Sequence, residues 1–473
     1  MDQTPMRIGA ESVTTVDTSE VTSPYDGRVV GAVPVGTAAH IDAAVAAAVA
    51  RREEGPLPAW RRAEILDRAA VRLADRHEEF ARRITAESAK PIATARVEIS
   101  RAVDTFRFSA AVARTATGET VPMDASPAGE GTFGVVLRVP VGVVAAISPF
   151  NFPVNLVAHK LGPAIAAGCA VVLKPASATP LSALALAGML LDECGLPDGW
   201  LNVVTTNGST ANHLVEHPEV ALITFTGSPE VGWGIRQRVP HKRVGLELGN
   251  NAPVIVEPSA DLQVAATKVT TGATSFAGQS CISVQRVYVQ RSVAEAFLAH
   301  LVAGFEGLVV GDPDDDATQV SSLIAEGETD RVVSAVDDAV AQGARVLTGG
   351  SRDGEGVLRP TVLSDVRPDM EVCRTEIFGP VVGVQVYDDL DEALRLANDT
   401  RYGLQAGIFT ADLSAALAAA RGLDFGGVTV NEVPTYRVDQ MPYGGVRDSG
   451  NTREGPAYAV REMTEERLVI VRG

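Results

Sequence analysis

Cys281 stands in SFAGQSCISVQRV, just after Gly278 and Gln279 and among small residues. A loop of that composition can leave a thiol exposed. Some thiolate is always present at neutral pH, which makes cysteine the strongest side-chain nucleophile there. The bland alternative is a small core residue, and Cys169, Cys194 and Cys373 fit that description. Glu247, in RVGLELGNNAP, is a carboxylate inside an apolar strand followed by Gly249. Charged groups are rarely buried without a reason. An apolar setting raises a carboxyl pKa, which suits a general base near neutral pH; otherwise Glu247 is an exposed group at a strand end. Asn151, in ISPFNFPVNL, follows an apolar strand at a turn between two prolines. Its amide can donate to an oxyanion, or the residue simply forms the turn. HLVEH at 213–217 matches the inverted zinc-protease pattern. It sits on a short helix ending at Pro218 with no third ligand in view, so a solvated helix face is expected and no metal site.

These residues must be held by a chain of 473 residues, long enough for two or three domains. The formal net charge of −18 disfavours nucleic acid and anionic membrane surfaces as partners. An anionic substrate then needs a local cationic pocket. The four cysteines are scattered and form no CxxC pair, which argues against a disulfide framework and fits a reducing cytoplasm. No basic segment followed by an apolar run opens the chain, and no apolar stretch is long enough to span a bilayer.

Helical spacing runs from 38 to 116, as one helix after Thr37, a second over 59–90 and a third after Pro91. GTFGVVLRVP then reads as strand. From 141 short apolar strands alternate with helices: VGVVAAIS, CAVVLKP, LNVVTT and ALITFTG are the strands. Such alternation implies a doubly wound parallel sheet, with dinucleotides bound at the carboxyl ends of its strands. After LELGN the rhythm restarts with PVIVE, a helix over 260–275 and VQRVYVQ, and this second α/β unit runs to about 425. The tail EMTEERLVIVRG ends in an apolar strand, expected to pair with another subunit because an open edge is a liability.

The segments PFNFPVNLVAHKLGPAIAAGCAVVLKP, ITFTGSPEVG, LELGNNAP, FAGQSCISVQRV, EIFGPVV, NDTRYGLQAGIFT and MPYGGVRDSGNTREG resemble the aldehyde dehydrogenase superfamily, in its order and at its separations. The resemblance covers nearly the whole chain. It implies an aldehyde dehydrogenase-like fold: a dinucleotide-binding domain over 1–118 and 140–247, a catalytic domain over 248–425, and oligomerisation strands over 119–139 and 455–473 of a homodimer or homotetramer. It implies that Cys281 is the nucleophile, Glu247 the base, and Asn151 the oxyanion donor beside the N–H of Cys281. It further implies NAD or NADP as cofactor, held by Ile147, Ser148, Lys174, Ser177, Gly227, Ser228, Glu376 and Phe378. NAD-preferring relatives often carry a glutamate where this chain has Ser177. A serine can accept a 2′-phosphate that a carboxylate would repel, so NADP is admissible and NAD remains so.

Mapped through the same motifs, Arg101, Arg107, His159 and Arg437 fall near the tunnel that admits substrate, with Arg107 on another helix face from Arg101. Arg286 and Arg447 lie near motif segments without a defined orientation. Arginine forks suit phosphate-like oxyanions. The expected substrate is a short aldehyde with an anionic head, first a phosphonoaldehyde such as phosphonoacetaldehyde. Glyceraldehyde 3-phosphate (without phosphorylation) and lactaldehyde are the alternatives. Acylating oxidation with CoA, a non-catalytic role, and a thiol hydrolase pairing Cys281 with a distant histidine are the competing classes; Glu247 and the nucleotide-domain segments weigh against them.

Overall fold

Two seven-stranded sheets organise the chain in a computed structural model that describes residues 3–353 and 356–472. Met1, Asp2 and Gly473, at the outer limits of the expected domains, and Gly354 and Glu355 lie outside the described residues. The first sheet runs Arg243–Glu247, Val220–Thr226, Val143–Ile147, Val171–Lys174, Leu201–Val203, Met6–Ile8 and Glu11–Val13. The first five strands are parallel. The last two, unforeseen from the sequence, are antiparallel additions. Val143–Ile147 and Val171–Lys174 are buried at every position, which is why they lack polar alternation.

The second sheet runs Arg345–Thr348, Thr361–Ser364, Val381–Tyr387, Val284–Gln290, Ala252–Val256, Gln405–Phe409 and Gly427–Val430. It is parallel except at Arg345–Thr348. Helices cover both sheets, giving the expected doubly wound α/β unit followed by a second one.

Two helices matter most for the site. Asn155–Ala167 is buried at all thirteen positions, His159 and Lys160 included. A helix apolar nearly all round belongs in a core, so its two basic side chains need internal partners. Ile92–Thr115 packs against it and carries Glu98, Arg101 and Thr105 towards it.

One expectation needs correction. The helix expected over 59–90 is two helices, Ala59–Asp75 and His77–Ser88, broken at Arg76 where ψ turns to 22°. The terminal strand Thr464–Arg472 pairs within its own chain, residue for residue with Thr132–Pro140. The helix Pro456–Glu462 returns the chain alongside that strand, and Val141 N–H donates to the Met463 carbonyl at 3.1 Å. The resulting three-stranded sheet leaves the outer edge of Thr464–Arg472 unpaired, with Leu468, Ile470 and Val471 exposed.

Candidate active site

The thiol loop is strained and clamped. Phe276 and Ala277 both hold positive φ, at 49° and 51°, a conformation that costs a non-glycine residue and persists only where neighbours enforce it. Gly278 continues the turn at φ 73°, and a Cβ there would lie 2.2 Å from the Gly379 carbonyl oxygen. Only glycine lets the Cys281 loop approach the EIFGP loop this closely. Gln279 fixes the next position, its Oε1 accepting from Ile324 N–H at 2.9 Å. Cys281 follows, half-buried, with Sγ 2.9 Å from the hydroxyl of Tyr443. Burial, Glu376 and Glu247 push the thiol up to about 12, against Tyr443 and Arg437, which pull it down. The backbone N–H of Cys281 makes no hydrogen bond among the described residues.

Asn151 faces that loop from the carboxyl end of Val143–Ile147. Its Nδ2 donates to the Gln279 carbonyl at 3.0 Å, and its Oδ1 is buried without a partner. Beneath it, the fully buried Lys90 donates to the Asn151 carbonyl at 2.6 Å and to Glu98. Glu98 in turn accepts from the Val154 and Asn155 N–H groups. One buried ion pair thus holds both ends of the Asn151 turn.

Glu247 ends an edge strand and is 3% exposed, yet neither carboxylate oxygen has a partner. Burial first, then the nearby Glu454, raises its pKa well above the carboxylate range. Glu454 is equally buried but shifts the other way, because Arg437 binds it at 2.8 Å. A Cβ at Gly444 would meet Oε1 of Glu247 at 2.7 Å, so glycine is what gives that carboxylate its space.

Cys281, Glu247 and Asn151 open onto one cavity of about 740 Å³. Ile147, Ser148, Lys174, Ser177, Gly227, Ser228, Glu376 and Phe378 line it too. Most of them stand at or just past the carboxyl ends of parallel strands, the expected position for a dinucleotide. The cavity fits one. Lys174 brings an ammonium that makes no hydrogen bond or ion pair among the described residues, and burial lowers its pKa. Ser228 caps the helix Pro229–Arg238, whose N-terminus can receive a pyrophosphate. Glu376 is fixed by Asn250 N–H at 3.0 Å and raised to about 8 by burial. It fits because Gly249 lacks a Cβ, which would sit 2.2 Å from its Oε2. Phe378, at φ 50°, stands edge-on to Phe150. Ser177 donates weakly to the Thr206 carbonyl at 3.3 Å.

Arg101, His159 and Arg437 do not line this cavity but meet each other behind Cys281. Arg101 and His159 converge on Asp439, at 2.9 and 2.8 Å. Arg437 reaches His159 at 3.2 Å and Glu454 at 2.8 Å, and its guanidinium lies 3.8 Å over the Tyr443 ring. Burial and Arg437 lower the His159 pKa, so the imidazole is neutral near pH 7. Among the described residues Lys160, alongside, has only the hydroxyls of Thr224 and Thr226, at 3.0 and 2.8 Å.

Arg107 is a correction. Six residues past Arg101 on a helix of 3.6 residues per turn, it faces solvent and pairs with Asp104. Arg286 and Arg447 bind backbone carbonyls elsewhere. His213 and His217 face Asp42, at 2.5 and 3.7 Å. Among the described residues no helix is long and apolar enough to cross a membrane.

Sequence reasoning missed Tyr443, Asp439, Glu454, Lys160 and the Lys90–Glu98 pair. All but that pair sit in segments already conspicuous, VDQMPYGG, TREG and VAHKLG. For Lys160 the available signal was a charged residue in an apolar run, the same one that marked Glu247; Tyr443, Asp439 and Glu454 carry no such signal.

Residues 11–469 match the aldehyde dehydrogenase family. The 3-sulfolactaldehyde dehydrogenase of Priestia aryabhattai is 46% identical over 465 residues, covering 98% of this chain and 97% of that one. Aldehyde dehydrogenase 21 of Physcomitrella patens, solved with its reaction product succinate, superposes with TM-score 0.95 at 39% identity over 99% of this chain and 98% of that one. The NADP-dependent glyceraldehyde-3-phosphate dehydrogenase of Bacillus halodurans C-125, solved with NADP, gives 0.96 at 36% identity over the whole of both chains. The chain belongs to the aldehyde dehydrogenase family.

Proposed function

We infer that this aldehyde dehydrogenase oxidises a short aldehyde with an anionic head to the carboxylate, using NAD or NADP. The reading extends to the head group: a sulfonate on a three-carbon 2-hydroxyaldehyde. The observation that carries it is the stack of Arg437 on Tyr443, whose hydroxyl touches the nucleophile. That guanidinium stands behind the cavity wall, one aromatic ring away from the thiol, and contributes positive charge near the far end of a very short substrate. The surrounding charges leave a surplus for an anion. Arg101 and Arg437 are matched by Asp439 and Glu454, Lys160 has no carboxylate partner, and Glu247 is held towards its neutral form. The likeness to a 3-sulfolactaldehyde dehydrogenase supports the same head group. The phosphonate head expected from the sequence shares its tetrahedral oxyanion chemistry. A carboxylate head is the second reading, favoured by the succinate in the moss relative.

Lys174, Ser177, Ser228 and Glu376 would hold the dinucleotide, which would supply the hydride acceptor needed to turn the thiohemiacetal into a thioester. Cys281 thiolate attacks the aldehyde carbon. The second N–H of the Asn151 amide, whose first is bonded to the Gln279 carbonyl, and the N–H of Cys281 hold the resulting oxyanion. Glu247 takes a proton from the water that hydrolyses the thioester. A carboxylate at this place favours water over CoA as acceptor. The open apolar edge at Leu468–Val471 favours a homodimer or homotetramer, to be read by light scattering.

The test is a panel of 3-sulfolactaldehyde, phosphonoacetaldehyde, glyceraldehyde 3-phosphate, succinate semialdehyde and neutral lactaldehyde. Each is assayed with NAD and NADP, with and without CoA, by the absorbance of reduced cofactor. The sulfonate should exceed lactaldehyde in kcat/KM by at least about tenfold, since ~1.4 kcal/mol of charge-assisted contact suffices. A wild-type preference for lactaldehyde overturns the anionic-head reading, and a CoA requirement overturns hydrolysis.

A further inference from the structure

Tyr443 is 3% exposed, and its hydroxyl has one polar neighbour among the described residues, the Cys281 sulfur at 2.9 Å. Its ring packs with Ile282, Leu404 and Met441, a dry setting with little room for water to compete. The backbone is pinned by two hydrogen bonds with Glu454, at 3.1 and 2.6 Å. Glu454 also holds Arg437, whose guanidinium lies 3.8 Å over the same ring. Phenol, arginine and carboxylate therefore form one rigid unit, and its hydroxyl is aimed at the nucleophile.

We propose that the Tyr443 hydroxyl is a catalytic hydrogen-bond donor to the Cys281 thiolate, polarised by the Arg437 cation stacked on its ring. A neutral thiol and a phenol can each donate to the other. A thiolate has no proton, so the phenol must donate, and that bond is charge-assisted and stronger. The difference favours ionisation of the thiol, whose proton leaves to solvent through the cavity. The charged and titratable groups facing the sulfur are Tyr443, Arg437, Glu376 and Glu247, and the two carboxylates oppose the thiolate. Tyr443 itself faces Cys281, Arg437 and Glu247, and burial raises its pKa well above normal. It stays protonated, hence a donor and not the base that removes the thiol proton.

This inference rests on Cys281 being the nucleophile, but its test does not need turnover. Tyr443→Phe keeps the ring, the apolar cluster and the arginine stack and deletes only the hydroxyl. Iodoacetamide alkylation of Cys281 is followed against pH in the full-length protein and localised by peptide mass. The midpoint should move up and the neutral-pH rate should fall about tenfold, the scale of one hydrogen bond to a charged group. Fluorotyrosine at the same position, a more acidic phenol, should move the midpoint down. An unchanged midpoint in Tyr443→Phe overturns the proposal, whatever happens to the overall rate. The nucleophile reading fails separately, if Cys281→Ala retains turnover.

Discussion

On one side of Cys281 lies a cavity whose polar groups wait without partners: the Lys174 ammonium, both oxygens of Glu247 and Oδ1 of Asn151. On the other side His159, Arg437, Asp439 and Glu454 are nearly fully buried and tied to one another, with the partly exposed Arg101 bound to Asp439 at their margin. Glu247 and Glu454 put the contrast into two residues. Both are buried carboxylates near the same arginine, yet one titrates high and the other low. The difference is a hydrogen-bonded guanidinium at 2.8 Å. Leaving a buried polar group unpaired costs free energy. Atoms of His159, Arg437 and Glu454 are also left unpaired, but those residues are tied to one another through their remaining polar atoms, whereas the carboxylate of Glu247 has both oxygens open towards the cavity. The cavity side is thus reserved for ligand and chemistry, and the other is a set frame.

The comparison breaks most visibly at the thiol between the two sides. Cys281→Ala should abolish turnover while fluorescence titration still shows cofactor binding in the cavity. Wild-type-like production of reduced cofactor would remove the centre of the scheme. On the framed side, Arg437→Ala should cost about 3–5 kcal/mol in urea unfolding, because it strands Glu454. Removing Glu454 as well should recover part of that loss. A single variant as stable as the parent would mean the network is no frame.

On the reserved side, Glu247→Gln should barely change stability yet slow steady-state turnover by at least about 10²-fold. The raised pKa fixes the sign of the pH dependence. The base form is lost as pH falls through a value above the usual carboxylate range, so wild-type turnover rises with pH through that window. In the glutamine variant that limb should vanish. Arg101 stands between the two sides, about one-quarter exposed and bound to Asp439 at 2.9 Å. Arg101→Ala should lower kcat/KM for the anionic aldehyde by roughly ten- to a hundredfold and spare lactaldehyde. Equal losses would confine Arg101 to the frame. The smallest effect is expected at the cavity rim. Ser177→Glu should raise KM for NADP more than for NAD, through repulsion of the 2′-phosphate; equal effects would place Ser177 away from that phosphate.

The sequence by itself determined the alternation of strands and helices, and with it the strand ends where Lys174, Gly227 and Glu247 stand. Periodicity and turn residues act over a few positions, so a single chain displays them directly. Glycine at 278 and 249 was legible as a residue type, but its reason was not, because the atoms it admits, of Gly379 and Glu376, come from remote segments. The same distance hides the other tertiary pairings. The tail found its partner at 132–140, far back in the same chain. The cations foreseen near the tunnel proved to be tied to Asp439 and Glu454, 338 residues from Arg101 and 17 from Arg437. Tertiary structure alone decided which charges are spent and which are free, because a buried ion's partner is chosen by packing across the whole fold, and no local pattern encodes it.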